Sequence, residues 1–503
     1  MKLAAYFALF LVFFSAAAQN PGIILTVTPD AVKSFQTGLL PQLIAKIGNI
    51  QVAEIHSGDL TITNLVISQL TLPADSLRFS FNDGHLSFGT DAFGVNINMH
   101  VKYHLLFFDV NFDMSASCSS SSLNTDFGFI YTDEHVNLNM NSFSVQIRNL
   151  NLHFPSGIAD AVIKAITSLF RGPIQDLLSN KISDAMKGVV QDSINKIMDA
   201  IPGFGPIPGT PIGVSYSPSR APHITGNYFS VGLNGTFYDA TKGFNVPPVP
   251  LPDVLPEFDA PTGGSAQVFI SQYMANTALY TLWSSGLLKV RVTNSMIPAE
   301  APIRLDIQWL QVFIPSITEY YDPSSDIILD VTVTKAPNAT ITANDIEAFL
   351  EAHVVVSAAL GDNITEIFTL EGVLDGHANV SVANWQLKPY LTSGVFSNIN
   401  ITHSNVGDVD AGTFESGLNL LTGFVLPAIN AMGITIQLPS VPHCDLATLS
   451  VGILPGYLEI TASPSFSAVG PEKIHFGENT DYEYDFDNVE FTVGSIDDLL
   501  FDA

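Results

Sequence analysis

Bond-making chemistry needs particular side chains at particular spacings, and this chain offers few of them. The run Asp408-Val409-Asp410-Ala411-Gly412 comes nearest to a metal loop, because alternating carboxylates before a glycine turn are what calcium loops use. The ligands that should follow it are missing. The twelve histidines are scattered over apparent strands and loops, with no nucleophile placed beside them. There is no Gly-x-Ser-x-Gly elbow, His-Glu-x-x-His helix, phosphate loop or Cys-x-x-Cys pair. No catalytic residue, metal or cofactor is expected, and the chain reads as a non-enzyme. Its two cysteines, Cys118 and Cys444, fit no compact framework; two free thiols and a Cys118–Cys444 bridge both stay open.

What the residues do offer is apolar surface. Hydrophobic residues make up 47% of the chain and charged ones 13%. That balance suits either a thick sheet core or an enclosed apolar cavity. The net charge of −29 is unevenly placed. Residues 19–242 hold 12 Lys/Arg against 17 Asp/Glu, and residues 243–503 hold 6 against 31. Nucleic acid is therefore excluded as a partner, since no basic patch exists to neutralise phosphates. Bulk attraction to an anionic surface is disfavoured for the same reason.

The elements that would carry this surface follow a duplicated plan. Thr28 caps a helix that opens with Pro29, and Val32, Phe35, Leu39, Leu43 and Ile47 form its apolar stripe. Strands follow: 77–81 and 85–88 flank the Asn82-Asp83-Gly84 hairpin signal, and Val95 to Tyr103 alternates in polarity. The longest helix is expected over 156–201, with a break at Gly172-Pro173. A helix of that length needs a large apolar partner, whether a packed sheet or one wall of an elongated slot. Pro/Gly-rich connectors fill 203–222 and 245–264. A helix at 271–284, strands from 287 to about 405 and a helix near 413–432 then repeat the plan.

Lys2, the apolar run Leu3–Phe14 and Ala16-Ala17-Ala18 read as a secretory signal peptide over 1–18, so the chain is expected to be secreted. Asn234, Asn338, Asn363, Asn379 and Asn400 open glycosylation sequons. From Gly470 to Ala503 the tail carries ten acidic residues against Lys473 alone. It is read as a mobile acidic segment, with a plug built on Ile496, Leu499 and Leu500 as the alternative.

Several stretches in order resemble the bactericidal/permeability-increasing and lipopolysaccharide-binding protein family, which is similar to the plasma lipid-transfer proteins. SQY, NTA, MIP and IRL within 267–305 resemble the start of that family's second half. Asn20-Pro21-Gly22-Ile23 resembles its mature start, residues 221–239 its centre, LKPY (387–390) its late strands, and 433–439 its closing strand. The likeness covers roughly residues 21–463. It implies an α+β fold: an elongated boomerang of two similar barrels, each an antiparallel twisted sheet wrapped on a long helix, joined by a central sheet. The division expected is 19–222 for the first barrel, 223–264 for the central sheet and Pro-rich linker, 265–463 for the second barrel and 464–503 for the tail.

The resemblance also implies ligands. Phospholipid-like acyl chains would lie in two slots, with a carrier or transfer role; recognition of lipopolysaccharide through lipid A, as an innate-immune or bactericidal protein, is the alternative. Membrane or lipoprotein surfaces are possible partners, and the chain is expected to be a monomer. Leu39, Leu43, Ile47, Val162, Ile166 and Phe170 are candidates for the first slot, and Leu279, Trp283, Leu421 and Val425 for the second. The family's cationic tip corresponds here to Lys46, His100, Lys102 and His104. Acidification would add charge to the two histidines and strengthen anionic-lipid binding. The disulfide that the family carries in its first half is expected to be absent, because Ser183 occupies the helix position.

Overall fold

Period-two stretches of Val, Ile, Phe and Thr become antiparallel sheets, and the period-3.6 stretches become helices laid against them. The computed structural model describes residues 20–38, 50–105, 108–132, 135–199, 203–207, 209–260, 264–383, 386–433, 435–437 and 444–466. Among these, the α-helices are α1 (Pro29–Gly38), α2 (Asp160–Phe170), α3 (Pro173–Asp199), α4 (Gln272–Ser284), α5 (Ile307–Gln311) and α6 (Ala411–Ala431). The long helix divides where expected. Pro173 cannot donate to the preceding turn, so α2 ends at Phe170 and α3 restarts at the proline.

An eight-stranded N-terminal sheet has the order Ile50–Val52, Leu60–Thr71, His85–Leu105, Phe108–Thr132, His135–Gln146, with three short strands attached. A seven-stranded C-terminal sheet runs Lys289–Val292, Asp326–Val333, Asp345–Leu360, Asn363–Ala383, Gln386–Ser404, Ile436–Gln437, with Asn338–Thr342 beside it. The expected α+β duplication is present. Among the described residues each hydrogen-bonded order runs from edge to edge without closing, so each unit is a half-barrel with its helix laid against it.

The central sheet departs from the expected division. It is not confined to 223–264 but has the order His223–Ile224, Phe229–Leu233, Ile23–Val27, Ala266–Ser271, Tyr457–Phe466, Cys444–Leu454. Ile23–Val27 was expected in the first unit and the last hairpin in the second. Strand Ile23–Val27 lies between two neighbours in full register, with Ile23 and Ile24 each 1% exposed. An apolar strand this short is buried only by pairing on both sides. The Pro-rich connector is anchored by Glu257, which accepts hydrogen bonds from Arg220 Nη2 (2.6 Å), Tyr228 (3.2 Å) and Ser230 (3.2 Å) and also contacts His223. Burial works to raise the Glu257 pKa, but the hydrogen bond from His223 and the Arg220 charge outweigh it and hold the carboxyl low.

Candidate functional site

Two large apolar clusters fill the N-terminal and C-terminal units. In the N-terminal unit, Val162, Ile166 and Phe170 of α2 and Ile174, Leu178, Ile182 and Met186 of α3 pack on Leu60, Ile62, Ile97, Met99, Val101, Phe112 and Met114. The three candidate first-slot residues inside this region are 9%, 0% and 1% exposed, and so pack as core here. Leu39, Leu43, Ile47 and Lys46 lie outside the described residues.

The C-terminal cluster places Phe414, Leu418, Leu421 and Val425 of α6 against Val354, Val356, Phe368, Leu370 and Phe396. Leu421 and Val425 are therefore buried in this cluster. Leu279 and Trp283 do not join them. The opposite face of α4 is claimed by hydroxyl contacts to the central region: Tyr273 pairs with Thr236 (2.7 Å), Thr277 Oγ1 accepts from Phe237 N (3.2 Å), and Thr281 Oγ1 donates to Phe237 O (3.1 Å). Satisfying these groups turns Leu279 and Trp283 outward as half-buried residues, with Trp283 edge-on to Tyr280.

Polar side chains hold the helices to the sheet edges. Ser183 Oγ accepts from Val145 N (2.8 Å), Ser179 Oγ from Ile147 N (3.1 Å), and Asn195 Oδ1 from Leu138 N (2.7 Å). Ser183 thus makes a hydrogen bond to the neighbouring strand, at the position where the resemblance implied a missing disulfide. In the second half, Asn419 bonds both the N–H and C=O of Phe396 (2.6 and 2.9 Å), and Asn430 does the same at Leu391 (2.8 and 2.9 Å). Each helix thereby satisfies an otherwise bare strand edge. Cys118 is a buried free thiol in the N-terminal sheet.

Three of the four candidate tip residues, His100, Lys102 and His104, line up on one strand, and the next strand neutralises them. His100 Nδ1 lies 2.8 Å from Asp113 Oδ1, Lys102 Nζ 2.8 Å from Asp109 Oδ2, and His104 Nδ1 2.6 Å from Asp109 Oδ1. The hydrogen bond from Lys102, then that from His104, holds the Asp109 carboxyl below the usual carboxylate range. Beside His100 opens a groove of about 500 Å³ lined by Asn64, Asn98, Met99, His100, Asp113, Met114, Ser115, His153, Phe154 and Pro155. It is a shallow, open depression that combines thioether and aromatic surface with imidazole, amide and carboxylate groups. Asn64, at φ 49° beside a register shift in its strand, marks one wall.

Asp109, Asp113 and the groove were not found from the sequence. The register His100↔Asp113, Lys102↔Asn111, His104↔Asp109 is symmetric about the hairpin turn, and that symmetry was the available signal. The 408–412 run is a helix start rather than a metal loop. Asp410 accepts from Gly412 N (3.0 Å) and Thr413 N (3.2 Å), and these bonds, with Thr413 contributing most, keep its carboxyl below the ordinary range. Of the sequon asparagines, Asn338, Asn363 and Asn400 are exposed, Asn379 is half-buried, and Asn234 is half-buried beside a fully buried Thr236.

Residues 25–193 match the family model described as "LBP / BPI / CETP family, N-terminal domain", and residues 209–465 match the corresponding "C-terminal domain". Lipopolysaccharide-binding protein of Bos taurus is 22% identical over 434 residues, covering 82% of this chain and 87% of that protein. Bactericidal permeability-increasing protein of Sebastes schlegelii is 20% identical over 489 residues, covering 93% and 100%. BPI fold-containing family B member 2 of Homo sapiens is 25% identical, covering 59% and 65%. A crystal structure of lipopolysaccharide binding protein superposes with a TM-score of 0.50 at 18% identity, over 89% of this chain and 99% of that one, a likeness of fold.

Proposed function

Because the chain belongs to the LBP / BPI / CETP family, we propose that it binds acylated lipid amphiphiles, lipopolysaccharide first among them, outside the cell. The relatives named for lipopolysaccharide that align along most of the chain support the ligand class. The observation that carries the placement is the groove of about 500 Å³ beside His100, where apolar and polar groups meet next to the apolar cluster under α2 and α3. Acyl chains enter between helix and sheet, driven by roughly 25 cal/mol per Å² of apolar surface removed from water. The phosphorylated headgroup stays at the groove mouth, near His100, Lys102 and His104. Secretion rests on the leader read at 1–18 and agrees with this setting.

A second reading, carriage of phospholipid with little headgroup readout, is favoured by a specific feature: Lys102 is already satisfied by Asp109. The two are separated by co-sedimentation of the secreted protein with lipopolysaccharide and with phosphatidylcholine vesicles. The lipopolysaccharide reading predicts retention on the first, competed by free lipopolysaccharide. Equal retention on both leaves phospholipid carriage, and retention on neither removes lipid binding.

A further inference from the structure

On the C-terminal sheet, register gathers metal-ligating groups far apart in sequence. Strand Asp345–Leu360 pairs with Asn363–Ala383 so that Glu347 faces His377 and Phe349 faces Asp375. Asp345, Glu347, Asp375 and His377 therefore share one face, while the alternate residues Ile346 and Leu374 turn into the apolar clusters. One ligand atom each from Asp345, Glu347 and His377 lies within 4.8 Å of the others. His377 Nδ1 is 2.6 Å from Asp345 Oδ2, and its Nε2 is 4.0 Å from Asp375 Oδ1.

A second observation comes from Asp375. Its Oδ1 is buried and has no hydrogen-bond partner, although it points toward the imidazole. The Asp375 side chain as a whole is 37% exposed, so its other oxygen meets solvent, while Oδ1 faces the imidazole without a donor. Among the described residues no Lys or Arg ion-pairs with these carboxylates, so the face has surplus negative charge.

We propose that Asp345, Glu347 and His377 bind a divalent transition-metal cation of the zinc type, with Asp375 positioning the imidazole. The cation replaces the proton shared between Nδ1 and Asp345. The displaced Nδ1 proton leaves to solvent from the imidazolium, or moves to Nε2 in the neutral ring, so the ring's N–H is at Nε2, 4.0 Å from Asp375 Oδ1, and a small approach lets it donate to that oxygen. This is the carboxylate–histidine–metal arrangement that fixes ring orientation in known sites. An imidazole with carboxylates suits zinc, whereas calcium prefers an all-oxygen shell. Zinc ligand bonds of about 2.0–2.2 Å require the three groups, now within 4.8 Å of one another, to draw closer.

The test is calorimetric titration of the full chain with zinc in chelator-treated buffer, comparing wild type with H377Q, E347Q and D375N. Wild type should fill one site that H377Q and E347Q lose, and D375N should weaken it by roughly tenfold or more. The Glu347 side chain makes no hydrogen bond among the described residues, so E347Q keeps the test valid should H377Q not fold. Zinc uptake identical in all four proteins, or no uptake by wild type, overturns the proposal.

Discussion

At the scale of single residues, Asp109 sets how positive the tip can be. With Lys102 charged and Asp109 and Asp113 ionised, the tip is slightly negative when its imidazoles are neutral. Asp109→Asn should therefore strengthen binding to anionic vesicles about fivefold at low salt by releasing one lysine, with the gain lost at high salt. Co-sedimentation across a salt series measures it. The pH dependence has a definite sign. The Asp109 pKa is lowered, so its pairing is fully present above the ordinary aspartate value of about 3.9 and fades only as pH falls through the lower folded value. Between pH 7.5 and 5.5 it stays ionised, so its pairing with Lys102 persists and the gain from Asp109→Asn should be present at both values. Gly417 offers a stability test with an inverted sign. Ala normally favours a helix over Gly by about 1 kcal/mol, yet a methyl group at 417 would overlap the Phe313 ring, which packs edge-on against Phe414 at 5.6 Å. Gly417→Ala should lower stability by about 1–3 kcal/mol, seen as a reduced midpoint in chemical denaturation.

At the scale of elements, periodicity carried the sequence reading and long-range pairing limited it. The α2–α3 break was legible because Pro173 acts locally, and the hairpin at Asn82-Asp83-Gly84 because Gly84 alone must take φ 82°. The outward turn of Leu279 and Trp283 was not legible, because apolar spacing on α4 says nothing of the hydroxyls of Thr236, Thr277 and Thr281 that choose its inner face. The same limit hid Asp109, Asp113 and the Asp345–Glu347–His377 group, which meet only through strand register. The helix side chains on strand edges are a third example. Asn419→Ala removes both bonds to the Phe396 backbone and leaves a half-buried N–H and C=O unpaired. Helix propensity would improve, but the unpaired groups cost about 1–3 kcal/mol, so the net effect should be destabilising. Faster amide exchange at Phe396 than at distant strands would localise the loss to that edge.

At the scale of the whole molecule, two sheet-and-helix units share a central sheet that both ends of the aligned region help to build. Strands Ile23–Val27 and Tyr457–Phe466 flank Ala266–Ser271 there, which ties the two halves through backbone pairing rather than through the connector alone. The acidic excess lies mostly in the second half, so the N-terminal half carries the smaller electrostatic penalty toward an anionic surface. The tail 471–503 lies outside the described residues. The central claim, that this fold holds acyl chains, is tested most directly by native mass spectrometry of the purified protein followed by organic extraction. The account predicts lipid-sized adducts that survive gentle activation, yield acylated lipid on extraction and exchange for added lipopolysaccharide. A bare chain mass that stays unchanged after incubation with lipopolysaccharide and phospholipid would contradict it.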